Sequence, residues 1–243
     1  MPNASPLPSL AVCFSPALLP AHNVKHALVV VIDILRATTS ICACLYNGAI
    51  SVIPVTSVSH CLLFSPDEYL FAAERNGKKV EGFRFGNSPL EFTPELVRGK
   101  KIVMSATNGT KAIAAAKKAK QVIIGAFANF SLLIQYLQAQ KLPTYLLCSG
   151  WKGEICLEDA FFAGAVCQKL QEQFHFTNDA AYIALELFKT GKEKQDFLPK
   201  AASHFTRLKV LQKENDIAQC LSLDSYPVLP FLNAAGELKP LPC

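Results

Sequence analysis

The stretch VVVIDILRATTS, residues 29–40, constrains the fold of this chain more than any other. Four successive apolar residues, Val29 to Ile32, read as a strand buried on both faces, since a half-exposed strand alternates apolar with polar. The run ends at Asp33. Arg36, Thr38 and Thr39 follow closely, and then comes an apolar-periodic segment over 40–46, stopped by Asn47-Gly48. A carboxylate, a guanidinium and hydroxyls pack poorly, but at a strand-to-helix junction they can hold a cation and an anion together. Asp33 would serve equally as a helix N-cap, with Arg36 as its surface partner.

Strand-like runs alternate with helical patterns for two thirds of the chain, which predicts an α/β fold. Strands are expected at 29–32, 51–55, 101–105, 121–125 and 143–148. Helices are expected at 40–46, 111–118, 131–140 and 158–174. Beyond about 178 the pattern turns mainly helical, and Pro227, Pro230, Pro240 and Pro242 break up the tail. The 243 residues therefore read as a single domain with a soft boundary near 175–178 to a helical C-terminal part. Residues 81–99, rich in Gly, Pro and Asn, carry little regular signal.

The net charge of +5 is dispersed, and no basic stripe interleaved with aromatics is present, so nucleic acid is not an expected partner. No apolar run approaches the roughly 18–20 residues of a membrane span. Nine cysteines, an odd number, show no CxxC spacing and lie mostly inside apolar runs. With no secretory signal at the start, a reducing cytoplasm is the expected compartment. Homo-oligomerisation is left open.

Three further constellations could carry chemistry. Thr107-Asn108-Gly109-Thr110 lies between a predicted strand and helix, where Gly109 would permit positive φ and successive N–H groups would form an anion nest. An ordinary turn with a threonine cap gives the same string. Glu158-Asp159 follows the loop Ser149-Gly150-Trp151-Lys152-Gly153 and would bring two carboxylates to the edge that bears Asp33. Acids also favour a first helical turn for dipole reasons. Hard cations such as Mg²⁺ take one or two carboxylates plus substrate phosphate oxygens, which suits Asp33, Glu158 and Asp159 as metal ligands. Glu74-Arg75 and Gly86-Asn87-Ser88-Pro89 form the last group; they also read as a solvated pair and a well-made turn. The histidines show no metal-ligand spacing. Only His204 on a helical stretch stands out, and Trp151 reads as pocket wall or as packing.

The segments VVVIDILRATTS, AAERNGKKVEGFRFGNSPLEF, SATNGTKAI and SGWKGEICLEDAFFAGA, in this order and spacing, resemble the 2-phosphosulfolactate phosphatase (ComB-like) family, over about residues 25–235. The resemblance implies a three-layer α/β/α fold with a mixed or parallel central sheet. It implies a Mg²⁺-dependent phosphatase that converts 2-phospho-3-sulfolactate to 3-sulfolactate and phosphate, an early step toward coenzyme M in methanogens. Asp33, Glu74, Glu158 and Asp159 match acidic positions of the family and Arg36 its arginine. Asn87 and Ser88 match its GNSP motif, and Thr107, Asn108, Gly109 and Thr110 its TNGT motif. Two places depart from the pattern: Ala73 stands where glycine is usual, and Trp151-Lys152 replaces a smaller pair.

The mechanism expected from these residues is phosphoryl transfer to water. Asp33, Glu158 and Asp159 would hold Mg²⁺; Arg36, Thr38 and the 107–110 amides would bind phosphate oxygens. Glu74 would act as general base or as an additional ligand. A haloacid-dehalogenase-type Asp-x-Asp is ruled out because the second acid position is Leu35. The rival reading is a non-catalytic binding protein for a phosphorylated or otherwise anionic small molecule. Three carboxylates without a cation would repel such a ligand.

Overall fold

A computed structural model describes residues 7–75, 77–194 and 196–241. The apolar run forms a fully buried strand, β2 (Leu28–Ile32), placed after β1 (Ser9–Cys13). The other strands are β3 (Ser51–Pro54), β4 (Tyr69–Arg75), β5 (Lys78–Lys79), β6 (Lys101–Ser105), β7 (Gln121–Gly125), β8 (Thr144–Cys148), β9 (His175–Phe176), β10 (Pro230–Leu232) and β11 (Leu238–Pro240). They build one mixed sheet in the order β5-β4-β6-β3-β11-β10-β7-β2-β8-β1-β9. Its period of two explains β2: Leu28, Val30 and Ile32 pack into one core, Val29 and Val31 into another.

Helices cover both faces, as the layered α/β expectation requires. With Val29 and Val31 pack α1 (Ala37–Tyr46) and, after the short α2 (Val58–Cys61) and α3 (Pro94–Val97), α4 (Gly109–Ala116). On the other face lie α5 (Phe130–Gln140), α6 (Leu157–Leu170), α7 (Asp179–Lys192), α8 (Phe197–Ala201), α9 (Ser203–Val210) and α10 (Glu214–Leu221).

The structure departs from the sequence expectation in informative places. Helix α1 begins at Ala37 rather than 40, which draws both threonines inside it, and α6 ends at Leu170 rather than 174. Strands β1 and β4 carry too few alternating residues to announce themselves. The proline-broken tail is not only helical: β10 and β11 form a hairpin at the middle of the sheet, antiparallel to each other, to β7 and to β3. It joins two parallel blocks, β4-β6-β3 and β7-β2-β8-β1-β9. The blocks therefore run in opposite senses along the sheet, and twist of about 20–25° per strand accumulates between them. Residues that follow β2 and β6, and Glu74 of β4, nevertheless line one cavity, so strand ends from both blocks meet there.

No helix among the described residues is long and apolar enough to cross a membrane. The eight described cysteines are free and buried, behaving as small apolar side chains; Cys243 lies outside the described residues.

Helices α6 and α7 meet at Gly164, where an added Cβ would lie 1.9 Å from the carbonyl oxygen of Ala184. Backbone cannot yield as a side-chain tip can, so Gly164→Ala is expected to cost about 1–3 kcal/mol. Denaturant unfolding measures this; a loss below roughly 0.5 kcal/mol would mean that the two helices part freely.

Candidate active site

The site grows from the end of β2. The register pairs Ile32 with Cys148, and the Ser149 N–H donates to the Ile32 carbonyl at 2.8 Å, which sets the loop after β8 beside Asp33. Across the cleft, the turn between β6 and α4 brings Gly109 against Asp33. A Cβ there would lie 2.8 Å from Asp33 Oδ2 and 2.8 Å from the Ala37 Cβ. Gly109 is thus required for close approach. Positive φ, the reason expected from sequence, does not occur at this residue.

A polar cavity is lined by Asp33, Leu35, Arg36, Glu74, Asn87, Ala106, Thr107, Asn108, Trp151, His204 and Arg207. Six of these were sequence candidates: Asp33, Arg36, Glu74, Asn87, Thr107 and Asn108. Four other candidates, Thr38, Ser88, Gly109 and Thr110, build the walls without lining it. Thr38 Oγ1 donates to the Asp33 carbonyl at 2.8 Å and Thr110 Oγ1 to the Ala106 carbonyl at 2.7 Å, so both hydroxyls brace their turns. Ser88 Oγ donates to Asp216 Oδ1 at 2.6 Å.

Arg36 is no surface partner; it is 2% exposed. One terminal nitrogen donates to Asp216 Oδ2 at 2.5 Å, and the other pairs with Glu74 Oε2. Burial alone would lower the guanidinium pKa, but Glu74 and Asp216 outweigh it and hold it above the ordinary value. The solvated Glu74-Arg75 pair does not form. Arg75 turns away, donating to the Glu74 carbonyl at 2.8 Å and to Ser105 Oγ at 3.3 Å.

Glu158 and Asp159, both 2% exposed in the first turn of α6, reach the cavity through neighbours. His204 Nδ1 lies 2.9 Å from Glu158 Oε1. Asp159 is fully engaged: Oδ1 accepts from the Ile34 N–H at 2.9 Å, and Oδ2 from Ser149 Oγ and the Gly150 N–H, both at 3.2 Å. Burial pushes the Asp33 carboxyl up, partly offset by His204, the Ser149 hydroxyl and the Ala37 N–H. Burial also pushes Asp159 well up, with Asp33 and Glu158 adding to the effect. Donor atoms of Cys156, Glu158 and His204 lie within 4.8 Å of one another, the one such group among the described residues. Burial and the nearby acids raise the Cys156 thiol far above its usual range, which keeps it protonated and a poor ligand.

Asp216 and Arg207 went unrecognised in the sequence, and His204 drew only passing notice. Asp216 had a signal: it shares a buried face of α10 with Ile217 and Cys220, an acid on an apolar stripe.

These features define an α/β protein with an acidic, arginine-lined cleft at strand carboxyl ends. The chain belongs to the 2-phosphosulpholactate phosphatase family, whose model matches residues 13–235. Among similar curated proteins, one from Caldanaerobacter subterraneus subsp. tengcongensis is 37% identical over 216 residues, covering 87% of this chain and 90% of the relative. One from Thermotoga maritima is 36% identical over 226 residues, covering 93% and 98%. One from Gloeobacter violaceus is 37% identical over 234 residues, covering 94% and 97%. Each of the three is named "Probable 2-phosphosulfolactate phosphatase".

Two outcomes follow from the buried charges. Asp216→Ala leaves the Arg36 guanidinium buried with half its partners and should cost about 3–5 kcal/mol in denaturant unfolding; a loss under about 1 kcal/mol would show that Glu74 suffices. The second concerns pH. Asp33 and Asp159 hold protons more tightly folded than unfolded. Their contribution is complete below the ordinary carboxylate range and is lost as pH rises through the raised native values. Metal-free protein should therefore melt at higher temperature in mildly acidic than in neutral buffer, and Asp33→Asn should flatten that slope. Calorimetric melts with chelator present, showing equal slopes for both proteins, would contradict this.

Proposed function

We propose that this protein is a Mg²⁺-dependent phosphoric monoester hydrolase acting on a 2-phospho-2-hydroxy acid, with 2-phospho-3-sulfolactate the foremost substrate. The observation that carries the reading is the convergence of buried Asp33, Glu158 and Asp159 with the start of α4 around one cleft. Membership of a phosphatase family supports it, as do the names of the relatives.

The donors fit Mg²⁺. They are hard oxygens on neighbouring acids, the donor type that such a cation prefers. Asp33 and Glu158 would hold the ion; Asp159, with both oxygens already taken, would hold the loop beside it. Bound there, Mg²⁺ supplies charge neutralisation to the phosphoryl oxygens. The protein's own groups do the rest. The first-turn amides of α4 have no intrahelical acceptor and suit an anion at the cleft. Arg36 lines the cavity with its charge balanced by Glu74 and Asp216, so its part is to fix that wall rather than to draw in an anion. The Asn87 side-chain oxygen, buried without a hydrogen-bond partner among the described residues, offers an acceptor on the same wall. His204, oriented by Glu158, is placed to move a proton between water and the leaving oxygen. Leu35, at the second position after Asp33, lines the cavity and leaves no Asp-x-Asp partner there.

The reading is tested with a panel of 2-phospho-2-hydroxy acids, measuring phosphate release with and without Mg²⁺. Turnover should require the metal, and Mg²⁺ should raise the melting temperature of the wild-type protein in neutral buffer. Asp33→Asn should abolish turnover while leaving the fold intact by circular dichroism. Tight anion binding with no turnover across the panel would favour the binding-protein reading and sink this one.

A further inference from the structure

The cleft contains two arginines in opposite electrostatic situations. Arg36 is enclosed by two carboxylates and carries no net surplus of positive charge into the cavity. Arg207, on α9, makes no ion pair with any carboxylate among the described residues. What holds it is an aromatic face: its guanidinium carbon lies 5.2 Å from the centroid of the Trp151 ring.

The backbone that carries the ring is closed into a tight turn: the Trp151 main-chain N–H donates to the Glu154 carbonyl at 2.9 Å and the Glu154 N–H to the Trp151 carbonyl at 3.0 Å. Lys152 and Gly153 adopt φ of +54° and +89° within that turn, and Lys152 Nζ lies 4.6 Å from the ring centroid. A guanidinium set against a ring rather than a carboxylate keeps its N–H donors available, in the planar fork that matches a carboxylate or sulfonate.

Resting on the phosphatase reading above, we propose that Arg207, stacked on Trp151, receives the second anionic group of the substrate, the carboxylate or sulfonate that accompanies the phosphate. Charge balance assigns the two ends. The phosphoryl group goes to the Asp33 and α4 side, where a cation and helix amides meet it. The remaining oxyanion is repelled from Glu74 and the buried acids and goes to the uncompensated cation. Preference for multiply anionic esters over simple ones then resides in Arg207, and Trp151 is its positioning residue.

The test compares kcat and KM of wild type, Arg207→Gln, Arg207→Lys and Trp151→Leu on three esters. These are 2-phospho-3-sulfolactate, 2-phospholactate and phenyl phosphate, which lacks a second anion. Arg207→Gln should raise KM for the acid-bearing esters about 10- to 100-fold, as expected for a lost charged hydrogen bond. The penalty should exceed that on phenyl phosphate at least tenfold. Arg207→Lys should recover part of the loss, and Trp151→Leu should show a smaller loss with the same substrate bias. A penalty confined to the sulfolactate ester would assign Arg207 to the sulfonate; a penalty on both acid esters would assign it to the carboxylate. Equal losses on all three esters in folded variants would make the role merely structural and overturn the proposal. Absence of wild-type turnover on every ester would instead remove the phosphatase reading, and this proposal with it.

Discussion

The buried guanidinium of Arg36 is the interaction on which the cleft depends. A charge removed from water is tolerable only when it is paired and hydrogen-bonded. Its partners come from segments distant in sequence: Glu74 lies near the end of β4, and Asp216 lies on α10, itself held by Ser88 Oγ from the irregular 81–99 segment. Satisfying one side chain therefore requires the β2–α1 turn, an edge region of the sheet and the C-terminal helices to be in place together. If any of the three is missing, an uncompensated charge is left in a dry interior.

The same logic explains why the C-terminal part is no appendage. The β10–β11 hairpin sits between the two parallel blocks of the sheet, and α9 and α10 contribute His204, Arg207 and Asp216 to the cleft region. A sheet of two blocks running in opposite senses needs an antiparallel joint, and a short hairpin supplies one with few residues. Prolines 230 and 240 end up as paired strand residues in that hairpin rather than as terminators. Membership of the 2-phosphosulpholactate phosphatase family spans both parts of the chain, as residues 13–235 match its model.

What could be read from sequence follows from locality. The β2–α1 junction and the 107–110 turn announce themselves because strand, polar turn and helix are contiguous, and both line the cavity. The α/β class was legible for the same reason. Short or one-sided elements were not: β1, β4, β10 and β11 carry little period-two signal, and only long-range pairing makes them strands. Within the cleft, Glu158-Asp159 stood out by position, but their linkage to His204 and Ser149 is a tertiary fact. Gly109 was noticed for a conformation that it does not adopt. Its real constraint, the carboxylate and methyl group pressed against its α-carbon, is invisible without coordinates.

Charge balance ties these parts together. Asp33, Glu158, Asp159, Glu74 and Asp216 crowd a small volume with Arg36 as the one fully buried arginine among them. Burial, with the neighbouring acids adding to it, raises the Asp33 and Asp159 carboxyl pKa values. On the proposed reading, the acids would make anion binding conditional on metal binding, coupling the two through electrostatics without any moving part. A cation outside that cluster has a different duty. Arg207, kept at the rim on an aromatic ring, carries a charge that the acids do not cancel. The cleft thus keeps the enclosed acids and Arg36 at the strand ends apart from Arg207 at its edge, and the separation follows from where each arginine finds its partner.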